Sequence, residues 1–454
     1  MDYAPHTDEE FQQMLETIGA RSFEELLANI PPAVRSTSFD LPPGLSEAEV
    51  LELCESITSP NRSLHEFASF LGFGAYHHVI PTIVDTLSAR GEWLTPYTPY
   101  QAEASQGTLQ MIYEFQTVIC ELMGMEVANA SLYDGASALA EAAALALRAS
   151  PGSTPGTSGR PRLLISDAVH PHAREVVATY LRGFPCVVQE IPSTNGVTDL
   201  EALSAALKED VAAVLMQQPN VFGCLEPMEH ASGLAHRVGS LFVASVYPIS
   251  LGLVKPPGAY GADIAVAEGR CLGSPIAYGG PGLGLFTTTN ALLRRMPGRV
   301  AGCSVDQSGR RAFTLTLQTR EQHIRREKAT SNVCTNEGWL CLRAAIFLSF
   351  LGPHGVRELA ELNAQKAHAL FERLQELPFM RPAFDQPFFN EFAMRCGNAH
   401  RLDELNRKLL KQGLIGGLPL QPWYPTMADA SLWCATDMVS HHDIDRLLEA
   451  LKRL

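Results

Sequence analysis

Residues 163–216, LLISDAVHPHAREVVATYLRGFPCVVQEIPSTNGVTDLEALSAALKEDVAAVLM, decide the fold. Three short apolar runs stand in this stretch, Leu163 to Ser166, Cys186 to Ile191 and Ala212 to Met216, with helical patterns at His172 to Leu181 and Leu200 to Lys208 between them. Strands that alternate with helices predict a mainly parallel sheet covered by helices, because a parallel connection must cross from one end of the sheet to the other. Toward the C-terminus the alternation continues through Leu241 to Val246, Ile264 to Ala267 and Leu283 to Thr288. The link from Ala267 to Leu283 is Gly-rich and has no helical period, so the last strand is expected to run antiparallel.

Outside this block the pattern changes. Upstream, SPGSTPGTSGR (150–160) reads as an exposed loop. Before it, Leu109, Ile112, Phe115, Ile119, Leu122 and Met123 recur at helical spacing and Gly124 is a plausible stop, predicting a long buried helix over 106–124. Residues 1–70 are short helical pieces broken by Pro31-Pro32, Pro42-Pro43 and Pro60, an arm without a core of its own. Beyond 330 the sequence predicts a helix from Glu337 to Leu351, another through the 350s to 370s, strands near Phe389 to Arg395 and Ser431 to Ala435, a helix after His400, and a last amphipathic helix presenting Ile444, Leu447, Leu448 and Leu451. The expected organisation is an N-terminal helical arm (1–70), a large domain (71–330) and a smaller C-terminal α/β domain (331–454).

Composition bounds the function. A chain of 454 residues with 46% hydrophobic and 19% charged residues folds around a core and is not a disordered polymer. A net charge of -14 argues against nucleic acid as a partner, since that affinity comes from Lys and Arg on phosphates. The richest apolar runs, Leu342 to Leu351 and Ala142 to Leu147, are too short to span a bilayer, so no membrane partner is expected. The start, MDYAPHTDEEFQQ, lacks the basic and apolar regions of a secretory signal, and the expected compartment is the cytoplasm. Ten scattered cysteines form neither a CxxC pair nor a disulfide framework, and no metal site is expected. The chain has only seven lysines: 208, 255, 328, 366, 408, 411 and 452.

Five local motifs could carry chemistry. Tyr133-Asp134-Gly135-Ala136-Ser137 opens a helix and either seats an anion on its backbone N–H groups or is an ordinary N-cap. Val169-His170-Pro171-His172 follows a strand, where parallel sheets place ligands; an imidazole there either stacks on a flat ring or packs, and a metal on His170 and His172 is disfavoured because no third ligand stands at metal-site spacing. Thr95-Pro96-Tyr97-Thr98-Pro99-Tyr100-Gln101 can present phenols to a pocket or form an interface loop. Gly279-Gly280-Pro281-Gly282-Leu283-Gly284 precedes a strand, so it reads as a turn and not as a dinucleotide fingerprint. Residues 291–330 hold nine basic side chains against three acidic ones, a surface that could steer an anionic partner.

Together these strings resemble the P-protein family of the glycine cleavage system. The resemblance rests on YTPYQ (97–101), ASQG (104–107), NASLYDG (129–135), VLMQQPNVFGCLEP (214–227) and the run from Ser250 to Thr288 with its continuation EKATSNVCTNEG (327–338). It implies a fold-type I PLP-dependent transferase-like α/β fold and the reaction of that family, in which glycine is decarboxylated on pyridoxal phosphate (PLP) and its aminomethyl group passes to the lipoyl arm of H-protein. Catalysis by PLP needs a lysine amine for the Schiff base and an acid at the ring nitrogen. In the active half of the family the lysine follows the Gly-Ala-Asp strand; here Gly261-Ala262-Asp263 is followed by Arg270-Cys271 and no lysine. The strand Leu241 to Val246 ends in Tyr247-Pro248, without an acid.

These two absences make the chain resemble the alpha half of those P-proteins that are split into two subunits. The resemblance implies that PLP is held by the beta subunit, that the assembly is alpha2-beta2, and that H-protein and glycine are partners in the reaction. Tyr97, Tyr100 and Gln101 are then expected near the pocket shared with beta. Asp134, Gly135, Ser137, His172 and Tyr247 are expected at a relic cofactor site, and the basic 291–330 stretch is expected to meet acidic H-protein. Two other readings stay open: a self-sufficient PLP enzyme using Lys255, with Lys328 a further candidate anchor, and a scaffold that stabilises beta without touching its pocket.

Overall fold

Five parallel strands build the sheet that the alternation predicts. The computed structural model describes residues 5–36, 40–95, 98–150, 161–397 and 399–453. The expected loop at 151–160 and Tyr97 lie outside the described residues. In chain order the central strands are β1 (Val127–Ala128), β2 (Arg162–Ser166), β3 (Val187–Ile191), β4 (Val211–Gln218), β5 (Leu241–Val246), β6 (Ile264–Glu268) and β7 (Gly284–Thr288). They lie in the order β1-β7-β6-β5-β4-β2-β3. All pairs from β3 across to β6 are parallel, and β7 runs antiparallel to both β6 and β1. The Gly-rich link before β7 is too short of helix to return the chain, which fixes that reversal.

Strands buried on both faces need continuous apolar sequence. Leu163, Leu164 and Ile165 in β2 and Ala213 to Met216 in β4 are at most 1% exposed, with helices on either side. The predicted long helix is α1 (Gln106–Met123), stopped by Gly124 at φ 63°. Leu109, Ile112, Phe115, Ile119 and Met123 are all buried along one face of it. Helices α2 (Gly135–Ala149) and α3 (Pro171–Leu181) start at the edge of the sheet where the parallel strands end.

Helix α4 (Gly338–Gln375) joins the two helices predicted there. Gly352, at φ 61°, and Pro353 break its middle, because that backbone conformation is left-handed and proline supplies no N–H. By length and composition alone this helix could cross a membrane. In the structure Leu340, Cys341, Ala344, Phe347 and Leu348 instead join the main core, and Ala367, Leu370 and Leu374 join a second one. The second core lies under an antiparallel sheet ordered Arg381–Pro382, Glu391–Arg395, Ala430–Cys434 and Leu418–Pro419. The last helix, α5 (His441–Lys452), covers it with Ile444, Leu447, Leu448 and Leu451.

The chain divides into two compact units, one ending at Arg62 and one from Ser63 onward, so the first boundary falls before the expected residue 70. In the first unit, helices Asp8–Ile18 and Glu47–Thr58 are each opened by a capping box, Thr7 with Glu10 and Ser46 with Glu49. Among its described residues Leu15 is the only large apolar side chain that is buried.

Candidate functional site

The C-terminal ends of β2, β4, β5 and β6 and the starts of α2 and α3 surround one cavity of about 380 Å3. Ligands in open parallel sheets bind at this edge because loops and helix N-termini converge there with backbone N–H groups exposed. Asp134, Gly135, His172 and Tyr247, four of the five expected relic-site residues, line the cavity together with Glu268 and Arg270. The fifth, Ser137, is held by the N-cap: its N–H donates to Asp134 Oδ1 at 2.8 Å and its hydroxyl to Oδ2 at 3.1 Å.

His170 opens α3 and has a defined tautomer. Its Nδ1 accepts the His172 N–H at 3.2 Å, so the proton lies on Nε2, which faces the Phe73 carbonyl at 3.2 Å. Burial, followed by the neighbouring His172, pushes its pKa down to about 4, so the ring is neutral near pH 7. His172 sits edge-on to Trp423 with ring centroids 5.7 Å apart.

Tyr247 forms the floor. Its hydroxyl meets His78 Nε2, and His78 Nδ1 meets Asp437, a buried carboxyl–imidazole–phenol chain. Burial pushes Asp437 up, but its bonds to His78 and to the Val79 N–H outweigh this and hold it below its ordinary value. Beside Tyr247, with centroids 4.3 Å apart, Tyr76 donates to Glu391 Oε2 at 2.5 Å. Glu391 also accepts the Phe73 N–H, and complete burial raises its pKa to about 7. A Cβ on Gly72 would lie 2.0 Å from Glu391 Oε1, so only glycine lets this segment come so close.

The sequence reading missed His78, Tyr76, Asp437, Glu391 and Glu268. Glu268 directly follows the predicted strand Ile264 to Ala267, and that position alone could have marked it. The others come from segments far apart in the chain and have no local signature.

A phosphate-bearing flat cofactor needs a lysine amine, an acid at its ring nitrogen and free N–H groups for its phosphate. No lysine lines the cavity; Cys271 stands where the resemblance requires one, and burial pushes its thiol well above the ordinary range. Ser245, Val246 and Tyr247 close the end of β5, and none is an acid. The first N–H of α2 is already taken, donating to Glu268 Oε2 at 3.0 Å. The residues present do not fit PLP. Lys255 is paired with Glu229 at 2.7 Å and exposed, and neither it nor Lys328 lines the cavity.

Tyr100 and Gln101 do not line the cavity either; Gln101 is exposed and Tyr100 is tied to Arg299. The basic 291–330 stretch is partly internal, which corrects its reading as one surface patch. Arg299 and Arg320 are 4% and 8% exposed, and Arg320 donates to the carbonyls of Met296 and Gly298. Arg294, Arg295, Arg310, Arg311, Arg325, Arg326 and Lys328 remain exposed.

Comparison with known proteins accounts for nearly the whole chain. Residues 1–451 match the family model described as glycine cleavage system P-protein. A relative in Thermomicrobium roseum, a probable glycine dehydrogenase (decarboxylating) subunit 1, is 48% identical over 453 residues, covering 100% of this chain and 99% of its own. Among solved structures, a glycine decarboxylase (P-protein) of the glycine cleavage system in inhibitor-bound form is 44% identical with a TM-score of 0.90 over 100% of both chains. A sphingosine-1-phosphate lyase of Burkholderia pseudomallei, 15% identical with a TM-score of 0.65 over 93% of both chains, shares the fold alone. The expected fold-type I transferase-like architecture is therefore the fold of this chain.

Proposed function

The chain belongs to the family of glycine cleavage system P-proteins, and on that premise we propose that it is the cofactor-free subunit of a two-chain glycine dehydrogenase (decarboxylating). The observation that carries this reading is the cavity itself. It stands at the edge where open parallel sheets bind ligands, yet it offers a buried cysteine at position 271 and an occupied helix start at Gly135. PLP takes part in the reaction and, on this proposal, is held by the beta subunit, where it supplies the electron sink for decarboxylating glycine.

This chain's own contribution is positional. Its Tyr97 to Gln101 segment approaches the partner's pocket, and the exposed remainder of the basic stretch faces acidic H-protein. The assembly is alpha2-beta2. Exposed apolar side chains in the first unit, Phe11, Ile18, Phe23, Val50, Leu51 and Ile57, support a large partner surface.

The test is reconstitution. The chain, its subunit 2 and the mixture are assayed for H-protein-dependent release of CO2 from glycine with added PLP. Activity only in the mixture is the expected result. Turnover by this chain alone, or a borohydride-stable PLP adduct on Lys255 or Lys328, overturns the proposal.

A further inference from the structure

Glu268 is the last residue of β6, and its carboxyl group accepts three backbone N–H groups, one of them from the distant start of α2. Gly135, at the start of α2, donates to Oε2 at 3.0 Å; Arg270 and Leu283 donate to Oε1 at 3.0 and 2.9 Å. The N-terminus of a helix at this edge of a sheet attracts anions, because its free N–H groups and its dipole both face outward. In this chain the first of those N–H groups meets the carboxyl group of a strand residue, Glu268. A second carboxylate, the Asp134 N-cap, holds the Ser137 N–H.

Packing closes the same place. A Cβ on Gly135 would lie 2.7 Å from the Glu268 nitrogen, and one on Gly282 would lie 2.7 Å from Asp134 Cβ and 3.1 Å from Glu268 Oε2. The Gly-rich run therefore serves to bring the start of β7 against Asp134 and Glu268. Burial pushes the Glu268 carboxyl above its ordinary range against the lowering pull of its N–H bonds and of Arg270, whose Nε lies 4.0 Å from Oε1. An incoming phosphate would meet the Asp134 and Glu268 carboxyl oxygens and two donors already in use.

We propose that Glu268 is the residue that closes this chain to phosphate monoesters, its carboxyl group seated on donors that a ligand's phosphate would otherwise use. It makes the exclusion of PLP an active property of the fold, additional to the missing lysine. The proposal concerns this chain's residues alone and does not depend on what the partner does.

The test titrates inorganic phosphate, and separately PLP, into the purified full-length chain and its Glu268→Ala variant by calorimetry, with near-ultraviolet circular dichroism to verify the fold. The expected result is that the variant binds inorganic phosphate at least about tenfold more tightly than the wild type, about 1.4 kcal/mol. Phosphate should also raise the melting temperature of the variant and leave that of the wild type unchanged. If the alanine variant does not fold, Glu268→Ser, which keeps an oxygen acceptor at the end of β6, takes its place. Phosphate binding by the wild type as tight as by the variant overturns the proposal, as does a folded variant that binds no better than wild type. Failure of the two-subunit reading would appear elsewhere, as turnover by the wild-type chain alone.

Discussion

The phenolic oxygen of Tyr100 lies 3.1 Å from Nη2 of Arg299. The same guanidinium reaches Thr335 Oγ1 at 3.2 Å, Asn336 Oδ1 at 3.3 Å and the Cys334 carbonyl. Its Nε lies 3.7 Å from Glu321, with both side chains at most 8% exposed. One buried cation thus joins the segment around Tyr100 to the loop before α4. Arg299→Met takes the buried guanidinium from Glu321, leaving it His323 Nδ1 at 3.6 Å, and should cost about 3 kcal/mol in urea unfolding. Tyr100→Phe removes one bond at a half-exposed ring and should cost about 1 kcal/mol. In the reconstituted enzyme Tyr100→Phe is expected to lower the rate, and an unchanged rate would favour the scaffold reading.

Glu391 links Tyr76 and the Phe73 N–H to the small sheet. Its pKa of about 7 lies above the ordinary 4.5, so the folded state holds this proton more tightly than the unfolded chain does. The stability it contributes is fully present below pH 4.5 and is lost as the pH rises through about 7. Glu391→Gln has no such proton. The stability of wild type relative to this variant should therefore fall between those two pH values and stay level above them; a constant difference across the range would refute the assignment.

His170 shows the opposite displacement. Proton-detected NMR of labelled histidines should find one imidazole that stays neutral, with its proton on Nε2, until the pH falls to about 4. Replacing His170 should remove that resonance. A midpoint near 6.5 would mean that the ring is wetter than its contacts with Phe73 and His172 imply.

Two glycines should respond to alanine with opposite signs. A Cβ on Gly258 would sit 1.7 Å from the carbonyl oxygen of Gly124, the residue that ends α1, so Gly258→Ala should cost about 3 kcal/mol or more. Gly233, exposed in the helix Met228–Arg237, has nothing within 4 Å of its Cβ position. Gly233→Ala should stabilise by about 0.5–1 kcal/mol. Thermal melts of the two variants check both signs.

The strands were legible because a strand buried on both faces must be an uninterrupted apolar run, and Leu163 to Ser166 or Leu241 to Val246 can hardly be anything else. Their shared edge followed from the alternation, while the grouping of Asp134, Gly135, His172 and Tyr247 at one site came from the family resemblance. Side-chain pairing across the chain was not legible. His78 reaches Asp437 across 359 positions and Tyr247 across 169, and nothing local to any of the three announces the other two. Charge was misleading for a related reason: counting arginines over 291–330 cannot separate Arg320, which holds the carbonyls of Met296 and Gly298, from Arg325 and Arg326 at the surface.

The first unit has a consequence for how a cell must supply this chain. Phe11, Ile18, Val50 and Ile57 are open to water, and exposed apolar side chains are what chaperones and proteases recognise. A copy made without its proposed partner is an orphan, and its lifetime depends on how soon it is claimed. Matched synthesis of the two subunits, rather than the intrinsic stability of either, then sets how much enzyme accumulates.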